Sequence, residues 1–516
     1  MHHEPDRPDT SAPPSRPSGT RPPVQETPPQ AGPLPEPHAA PADDRTPPRF
    51  PAMPASPAEW RYRPPRTPSW WHRHSRLIRV LTVTVLLALC GVAILLLVRE
   101  RTGTAGLAVG LALAVLPVPM LFAGFRWLDG VEPSPLSHHL FAFGWGACAA
   151  TLIALFANTF ATAWLSGSLT GAPDADVLGA TVVAPVVEEC AKAVPVVLLF
   201  LFRRRHFTGV VSGITIAGMT AAGFAFTENV LYLGRAYGMD TTGDLPYEAG
   251  PSATAATFVV RILLSPLAHP LFTGLTGVGF GIAAALPHRR RRLRPVLPVA
   301  GLLTAVLLHA IWNGAASHAS SLFLVVYALF MMPVLGTLAW LAIWSRLGEL
   351  RTVRTTLRSY VAAGWLTPPE AWALGTPRAC ALARTLARQG RGPEAARAVA
   401  EYVHFARSLA LLRARAERGT TVSDFRAREH ELLHHLWQRR PSAAPPTQRA
   451  AVALARRPVP PPVPPQRPGG PPGHAPRYTP PRRYGRGPGG SPEPYGPRTG
   501  GSPGPYGGGR PPFGQL

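Results

Sequence analysis

A succession of long apolar blocks between residues 77 and 344 constrains the fold of this chain more than any other feature. Each block is about as long as the ~20 residues that an α-helix needs to cross a bilayer. Lipid offers no hydrogen-bond partner to the backbone, so blocks of this length favour helices. We therefore predict an all-α, polytopic transmembrane bundle of about eight spans, near 77–98, 104–125, 139–165, 178–202, 208–233, 254–286, 295–316 and 320–344.

The two ends of the chain differ from this apolar middle in composition. Most of the 63 prolines lie near the two ends, and the C-terminal end is also rich in glycine; such segments cannot bury a core. Between the last apolar block and the C-terminal Pro/Gly-rich part, an Ala-, Leu- and Arg-rich stretch has helical periodicity. The predicted regions are a disordered tail (1–70), a transmembrane domain (71–345), a small helical basic cytoplasmic region (346–440) and a second disordered tail (441–516).

The formal net charge of +24 comes mostly from arginines in the tails and in short loops beside the apolar blocks. This placement favours membrane topology and contact with anionic lipid, and we expect no nucleic-acid partner. The loops at 203–206 and 288–294 are strongly basic, whereas those at 166–177 and 234–252 are not. The positive-inside rule then predicts a multi-pass plasma-membrane protein with both termini in the cytoplasm.

The fourth block carries three ionisable residues in the run Glu188-Glu189-Cys190-Ala191-Lys192. Glu188 and Lys192 are spaced i, i+4, so they share a helix face and can pair. Glu189 points about 100° away, toward a different neighbour. Taken alone, such a pair can be a purely structural ion pair.

Further polar residues follow in the next three blocks: Glu228 with Asn229, then His269, then His309 with Asn313. A single histidine or asparagine in a membrane helix is more often interhelical hydrogen-bonding glue. The set is harder to explain in that way, because each buried charge costs ~2.5–3.5 kcal/mol even on the insertion scale. We therefore predict one functional site shared by four helices.

Carboxylates together with imidazoles are typical zinc ligands, and a catalytic zinc keeps one position open for water. The predicted metal ligands are Glu228, His269 and His309. Glu188 or Glu189 would act as the general base, because a second carboxylate can take the proton of that water. The remaining predicted catalytic residues are Lys192, which would keep the spare carboxylate ionised, and Asn313, which would stabilise the oxyanion.

The sequence resembles the PrsW family of intramembrane metalloproteases, within the broader group of CAAX-processing and bacteriocin-immunity type membrane proteases. The resemblance lies in the Glu-Glu-x-x-Lys motif at 188–192, the Phe-x-x-x-Glu motif from Phe224 to Glu228, and the later membrane histidines. It covers about residues 77–345. The resemblance implies a zinc-dependent protease of membrane-anchored substrates, which in the best-known branch are anti-sigma factors, with no obligate soluble cofactor.

Two other classes of function stay open from the sequence. In an ion- or proton-coupled transporter, the intramembrane Glu, His and Lys residues would relay ions. In a catalytically silent scaffold, the tails would recruit partners. The paired glutamates beside a lysine and the two separate histidines favour metal-dependent hydrolysis, and no inverted repeat is visible.

Overall fold

The protein is seen in a computed structural model that describes residues 50–56, 59–60, 62, 69–168, 177–242, 252–317, 320–420 and 424–455. These residues form helices and no strand, which confirms the predicted all-α class. Most of the two predicted disordered tails, residues 1–49 and 456–516, lies outside the described residues.

Fourteen α-helices are described, and short π- or 3₁₀-helical segments join several of them. They are α1 (Trp70–Ala114), α2 (Val118–Leu128), α3 (Leu136–Gly144), α4 (Thr151–Ser168), α5 (Ala184–Phe202), α6 (Val210–Thr242), α7 (Ala253–Phe258), α8 (Ala268–Ala285), α9 (Val296–Ala316), α10 (Ser320–Val326), α11 (Met332–Ala362), α12 (Pro368–Leu374), α13 (Pro377–Glu417) and α14 (Phe425–Ala455).

Six helical segments of the described chain are long and apolar enough to cross a membrane, so the expected number of about eight is not confirmed. The difference has two sources. The first two predicted spans fall in one segment, with a break in α1 at Gly103 (φ +73°). Helix α5 is the fourth predicted span. It is not among the six because it carries three ionisable residues. The six are Leu77–Leu128, Leu136–Gly167, Val210–Thr242, Ala253–Ala285, Val296–Ala316 and Ser321–Ala362.

Helix α6 is the most buried of these segments and forms the centre of the bundle. It approaches α8 so closely that a Cβ on Gly213 would lie 2.0 Å from the carbonyl oxygen of Gly277. A Cβ on Gly223 would likewise lie 2.0 Å from the carbonyl oxygen of Phe143. Small residues allow membrane helices to approach at backbone contact. Gly213 and Gly277 thus lie at a packing surface between α6 and α8.

The sixth predicted span contains a helix break, as its prolines suggest. A π-helical segment, Val259–Leu264, ends at Ser265, and α8 begins only at Ala268. Pro266 lies between them and has no N–H to donate to the preceding turn. The break places His269 in the first turn of α8.

The region after the last span differs from prediction at both of its boundaries. Helix α11 continues without interruption from the membrane segment to Ala362, so no linker separates the two regions near residue 345. At the other end, α14 continues past Pro441 to Ala455. Ala443 and Ala450 are fully buried in the core of this region, and that packing offsets the unfavourable prolines.

Part of the predicted N-terminal tail also packs on this helical region. The Phe50 ring lies 3.5 Å from the guanidinium carbon of the fully buried Arg413. Trp60 packs edge-to-face on Trp365 at 5.1 Å between ring centroids. The Trp365 indole donates a 2.8 Å hydrogen bond to the carbonyl of Pro51. The aromatic residues of the tail thus belong to the core of the helical region.

Candidate active site

Helix α5 presents Glu188, Glu189 and Lys192 to the interior of the bundle, and all three side chains are buried. The Lys192 ammonium lies 3.2 Å from Glu188 and 3.0 Å from Glu189. The predicted i, i+4 pair is therefore present, and the neighbouring i, i+3 pair forms with it. The ammonium also lies 3.8 Å from the centre of the Phe224 ring, which explains the Phe-x-x-x-Glu motif as a cation–π contact.

Both carboxylate oxygens of Glu189 are occupied by neighbours from other helices. One oxygen accepts a 2.7 Å hydrogen bond from the Thr273 hydroxyl on α8. The other lies 3.0 Å from Nδ1 of His309 on α9 and 3.0 Å from Lys192. A carboxylate that already accepts from three donors is a poor acceptor for a further proton. Glu189 is thus better suited to orienting His309 than to acting as a base.

The Glu188 side chain is less enclosed than that of Glu189, with 9% of its surface exposed against 0%. Its Oε2 atom lies 3.8 Å from Nε2 of His309, and its Oε1 atom lies 3.5 Å from the amide nitrogen of Asn158 on α4. Asn158 was not among the predicted site residues. Its only signal in the sequence is that it interrupts an apolar block.

Ligand atoms of Glu188, His269 and His309 all lie within 4.8 Å of one another. A carboxylate can only accept, so the contact with Glu189 assigns a proton to Nδ1 of His309 and leaves Nε2 unprotonated. An ammonium can only donate, so the 3.2 Å contact with Lys192 leaves Nδ1 of His269 unprotonated. One carboxylate and two imidazoles, each with one unprotonated nitrogen, fit a catalytic divalent cation such as zinc. At His269 the cation would take the place of the Lys192 contact at Nδ1, because Nε2 faces Glu228.

Glu228 was predicted as a metal ligand. It lies beside Glu188, His269 and His309, and its ion-pair partner is Arg261. Its Oε2 atom is 2.7 Å from Nε2 of His269 and 2.5 Å from the guanidinium of Arg261. Arg261 also donates to Asn229 at 2.8 Å. The Glu228 side chain is 19% exposed, more than that of Glu188 or Glu189. Sequence reasoning missed Arg261, although a lone arginine eight residues before His269 was visible.

Asn313 lies one turn beyond His309 on α9, as its spacing predicts. Its amide donates a 2.9 Å hydrogen bond to the carbonyl of Ala180, in the π-helical segment before α5. It makes no described hydrogen bond to the carboxylates or imidazoles of the cluster. The Phe272 ring instead stacks on His309, at 4.8 Å between centroids.

The arrangement can bind a divalent cation and leave a carboxylate beside it for proton transfer. Four helices supply the groups: α5, α6, α8 and α9. The glutamates, the lysine and the histidines predicted for one shared site do come together. Their individual roles are not tested by this geometry alone.

Comparison with known proteins gives one match. The family model described as PrsW family intramembrane metalloprotease matches residues 134–338. No curated protein and no solved structure matches the chain. The matched segment includes every helix that contributes to the cluster. Residues 134–338 therefore match the PrsW family of intramembrane metalloproteases, and the chain is a membrane protease, a hydrolase.

Proposed function

We propose that this chain is a zinc-dependent endopeptidase that hydrolyses peptide bonds of membrane-anchored proteins in or near the membrane. The single observation that carries the proposal is the convergence of Glu188, His269 and His309 inside a segment of a metalloprotease family. These three residues would hold the ion. When bound, zinc lowers the pKa of a water toward neutrality and polarises the scissile carbonyl.

The surrounding residues hold the proposed ligands in place. Glu189 accepts from Nδ1 of His309 and fixes its tautomer, while Thr273 and Lys192 fix Glu189. Such carboxylate–imidazole contacts typically orient a ligand and raise its basicity. Lys192 also compensates the charge of the two adjacent buried glutamates.

We assign the general base to Glu228. It is the most exposed carboxylate of the cluster, and it lies within hydrogen-bond reach of His269. Arg261 keeps it ionised and aimed at the cluster. This assignment exchanges the roles that the sequence suggested for Glu188 and Glu228. Asn313 stays the proposed oxyanion donor, which requires its amide to leave Ala180 when substrate binds.

Metal analysis of purified variants tests these assignments. We expect about one zinc per wild-type chain, loss of metal in Glu188→Gln and His309→Ala, and metal retained without proteolysis in Glu228→Gln. Well-folded wild type that binds no stoichiometric zinc would refute the zinc proposal. Metal retained in Glu188→Gln but lost in Glu228→Gln would restore the roles predicted from the sequence.

The substrates that we propose are membrane-anchored regulators of the anti-sigma-factor type, as the family resemblance implies. Membrane proteomics of cells that express a Glu189→Gln variant should reveal uncleaved substrates that accumulate. If no membrane-anchored protein accumulates, this substrate class is wrong, while the metal analysis still tests the enzyme. The transporter alternative is not favoured, because the matching family is a family of proteases.

For the topology, we propose that both termini and the helical region are cytoplasmic. Both basic loops contact the helical region: Arg205 pairs with Asp424 at 3.1 Å, and the His288 N–H donates to the carbonyl of Gly419. These contacts support a common side for the basic loops and the C-terminal helices, as the positive-inside rule requires. A reporter enzyme that is active only outside the cytoplasm should be inactive when fused after Ala455.

A further inference from the structure

A polar cavity of about 320 Å³ lies where the basic end of the bundle meets the helical region. Three parts of the chain form it: the loop between α2 and α3, the loop between α5 and α6, and facing residues of α13 and α14. The polar side chains that line it include Glu132, Arg205, His206, His404, Ser408 and Arg428. Its volume is at the lower end of the range for small-ligand sites. The cavity shares no residue with the proposed metal site.

Hydrogen-bond donors and positive charge dominate this lining. Arg428 makes no side-chain hydrogen bond or ion pair with any described residue, so its guanidinium is available to a ligand. Among the described residues Arg205 pairs only with Asp424, and both side chains are about 60% exposed. Such exposed pairs are weak, and Arg205 can turn toward an anion at little cost.

The single carboxylate of the lining does not oppose an anion strongly. Glu132 is bound by both terminal nitrogens of Arg415, at 2.7 and 3.1 Å. This two-pronged geometry is the strongest form of an arginine–carboxylate pair, and it compensates the charge of Glu132. Desolvation by the cavity walls and the neighbouring arginines lower the pKa of His206, and the same desolvation lowers the pKa of His404. The two imidazoles therefore meet a ligand as neutral rings, each with one N–H donor.

Exposed apolar side chains continue from the rim of the cavity along the bundle. Leu136 and Leu140 follow Pro135 on one face of α3 and are 51% and 56% exposed. Phe202, four residues before His206, is 74% exposed. In a bilayer these side chains contact acyl chains. A lipid lying along them would have its headgroup at the cavity.

We propose that this cavity binds a phosphate group, held by Arg428 and Arg205 with hydrogen bonds from Ser408 and the two histidines. Arginine is the side chain best matched to phosphate geometry, and a phosphate offers enough acceptors for all of these donors. The group belongs either to an anionic phospholipid or to a soluble phosphate. By tying the two loops to α13 and α14, the ligand would stabilise the contact between the bundle and the helical region.

Thermal unfolding of the detergent-solubilised full chain tests the proposal with two probes, dioleoylphosphatidylglycerol and inorganic phosphate, against chloride at equal ionic strength. At least one probe should raise the unfolding midpoint. Arg428→Gln should weaken the apparent affinity at least about tenfold, which corresponds to ~1.4 kcal/mol, because it removes the charge-assisted hydrogen bonds of the guanidinium. Arg426→Gln is the matched control, because Arg426 is exposed on the same helix and does not line the cavity.

The two probes distinguish the source of the phosphate. A response to phosphatidylglycerol that inorganic phosphate cannot displace identifies a lipid site, and displacement identifies a site for the phosphate group alone. If Arg428→Gln is itself unstable, the test uses His404→Gln as the lining variant. His404 is exposed, so its replacement does not open the core. The proposal is overturned if neither probe shifts the midpoint, or if both lining variants respond like wild type and Arg426→Gln.

Discussion

Nδ1 of His309 lies 3.0 Å from a carboxylate oxygen of Glu189, and this contact joins α9 to α5 at the centre of the cluster. The second oxygen of Glu189 accepts from Thr273 on α8. Three helices are thus fixed relative to one another by one carboxylate. The contact leaves Nε2 of His309 directed at Glu188, 3.8 Å away, so that both atoms can face the proposed metal ion.

Removing the Thr273 hydroxyl should therefore weaken metal binding without touching a ligand. We expect Thr273→Val to lower zinc affinity about 10-fold and Glu189→Gln to lower it by up to about 100-fold. Zinc titration of purified protein against a competing chelator measures both. Thr276→Val is the control on the same helix, because its buried hydroxyl has no hydrogen-bond partner among the described residues. Equal affinities in the two threonine variants would contradict the orienting role of Glu189.

Lys192 should be essential for stability as well as for the site. Lys192→Met leaves Glu188 and Glu189 buried without their common cation, and removal of one partner of a buried ion pair costs ~3–5 kcal/mol. We expect a lower unfolding midpoint in detergent and reduced yield of folded protein. Adding Glu189→Gln to Lys192→Met should recover part of the loss. A Lys192→Met variant that unfolds like wild type would show that the two carboxylates are neutral in the folded protein.

Part of this site could be predicted from spacing alone. Glu188 and Lys192 pair because i and i+4 share a helix face, and Glu189 points to other helices because it is 100° away. The sequence also placed His269 and His309 in one site, and their rings lie 5.4 Å apart. Helical periodicity and the cost of polar groups in lipid are enough for these conclusions.

The partners of Glu228 could not be predicted in the same way. Its contact with Arg261 joins two helices whose relative rotation depends on the break before His269. Pro266 indicates in the sequence that a break occurs, but not the rotation that brings Arg261 against Glu228. The extent of α14 was missed for a similar reason: its prolines resemble those of a disordered tail, and only burial of residues such as Ala443 in the helical core shows otherwise.

The close approach of α6 and α8 gives a prediction about packing. Gly213→Ala would place a methyl group 2.0 Å from the carbonyl oxygen of Gly277, so the helices must separate. We expect a loss of about 1–3 kcal/mol in stability, the usual cost of overpacking, and weaker zinc binding because α8 carries His269. Gly238→Ala is the matched control on α6, with no atom within 4 Å of the new methyl group. It should leave the unfolding midpoint unchanged or raise it slightly.

Asp129, in the loop between α2 and α3, should make stability depend on pH. Burial raises its pKa from 3.8 to about 7, although hydrogen bonds from Ser134 and the charge of Arg126 act in the opposite direction. The folded protein therefore holds a proton that the unfolded chain releases. This contribution to stability is complete below about pH 4 and is lost as the pH rises through about 7.

Asp129→Asn removes this titration, because an amide cannot release the proton. Between pH 4 and 8, the unfolding midpoint of wild type should fall relative to that of Asp129→Asn, since only the wild-type side chain must remain protonated or become a buried anion. Groups remote from Asp129 titrate in both proteins and cancel in the difference, whereas His139, 3.6 Å from the carboxylate, is coupled to Asp129 and contributes to the difference. The measurement is the midpoint in detergent at several pH values. A constant difference between the two proteins across this range would show that Asp129 keeps the same charge in the folded and unfolded states.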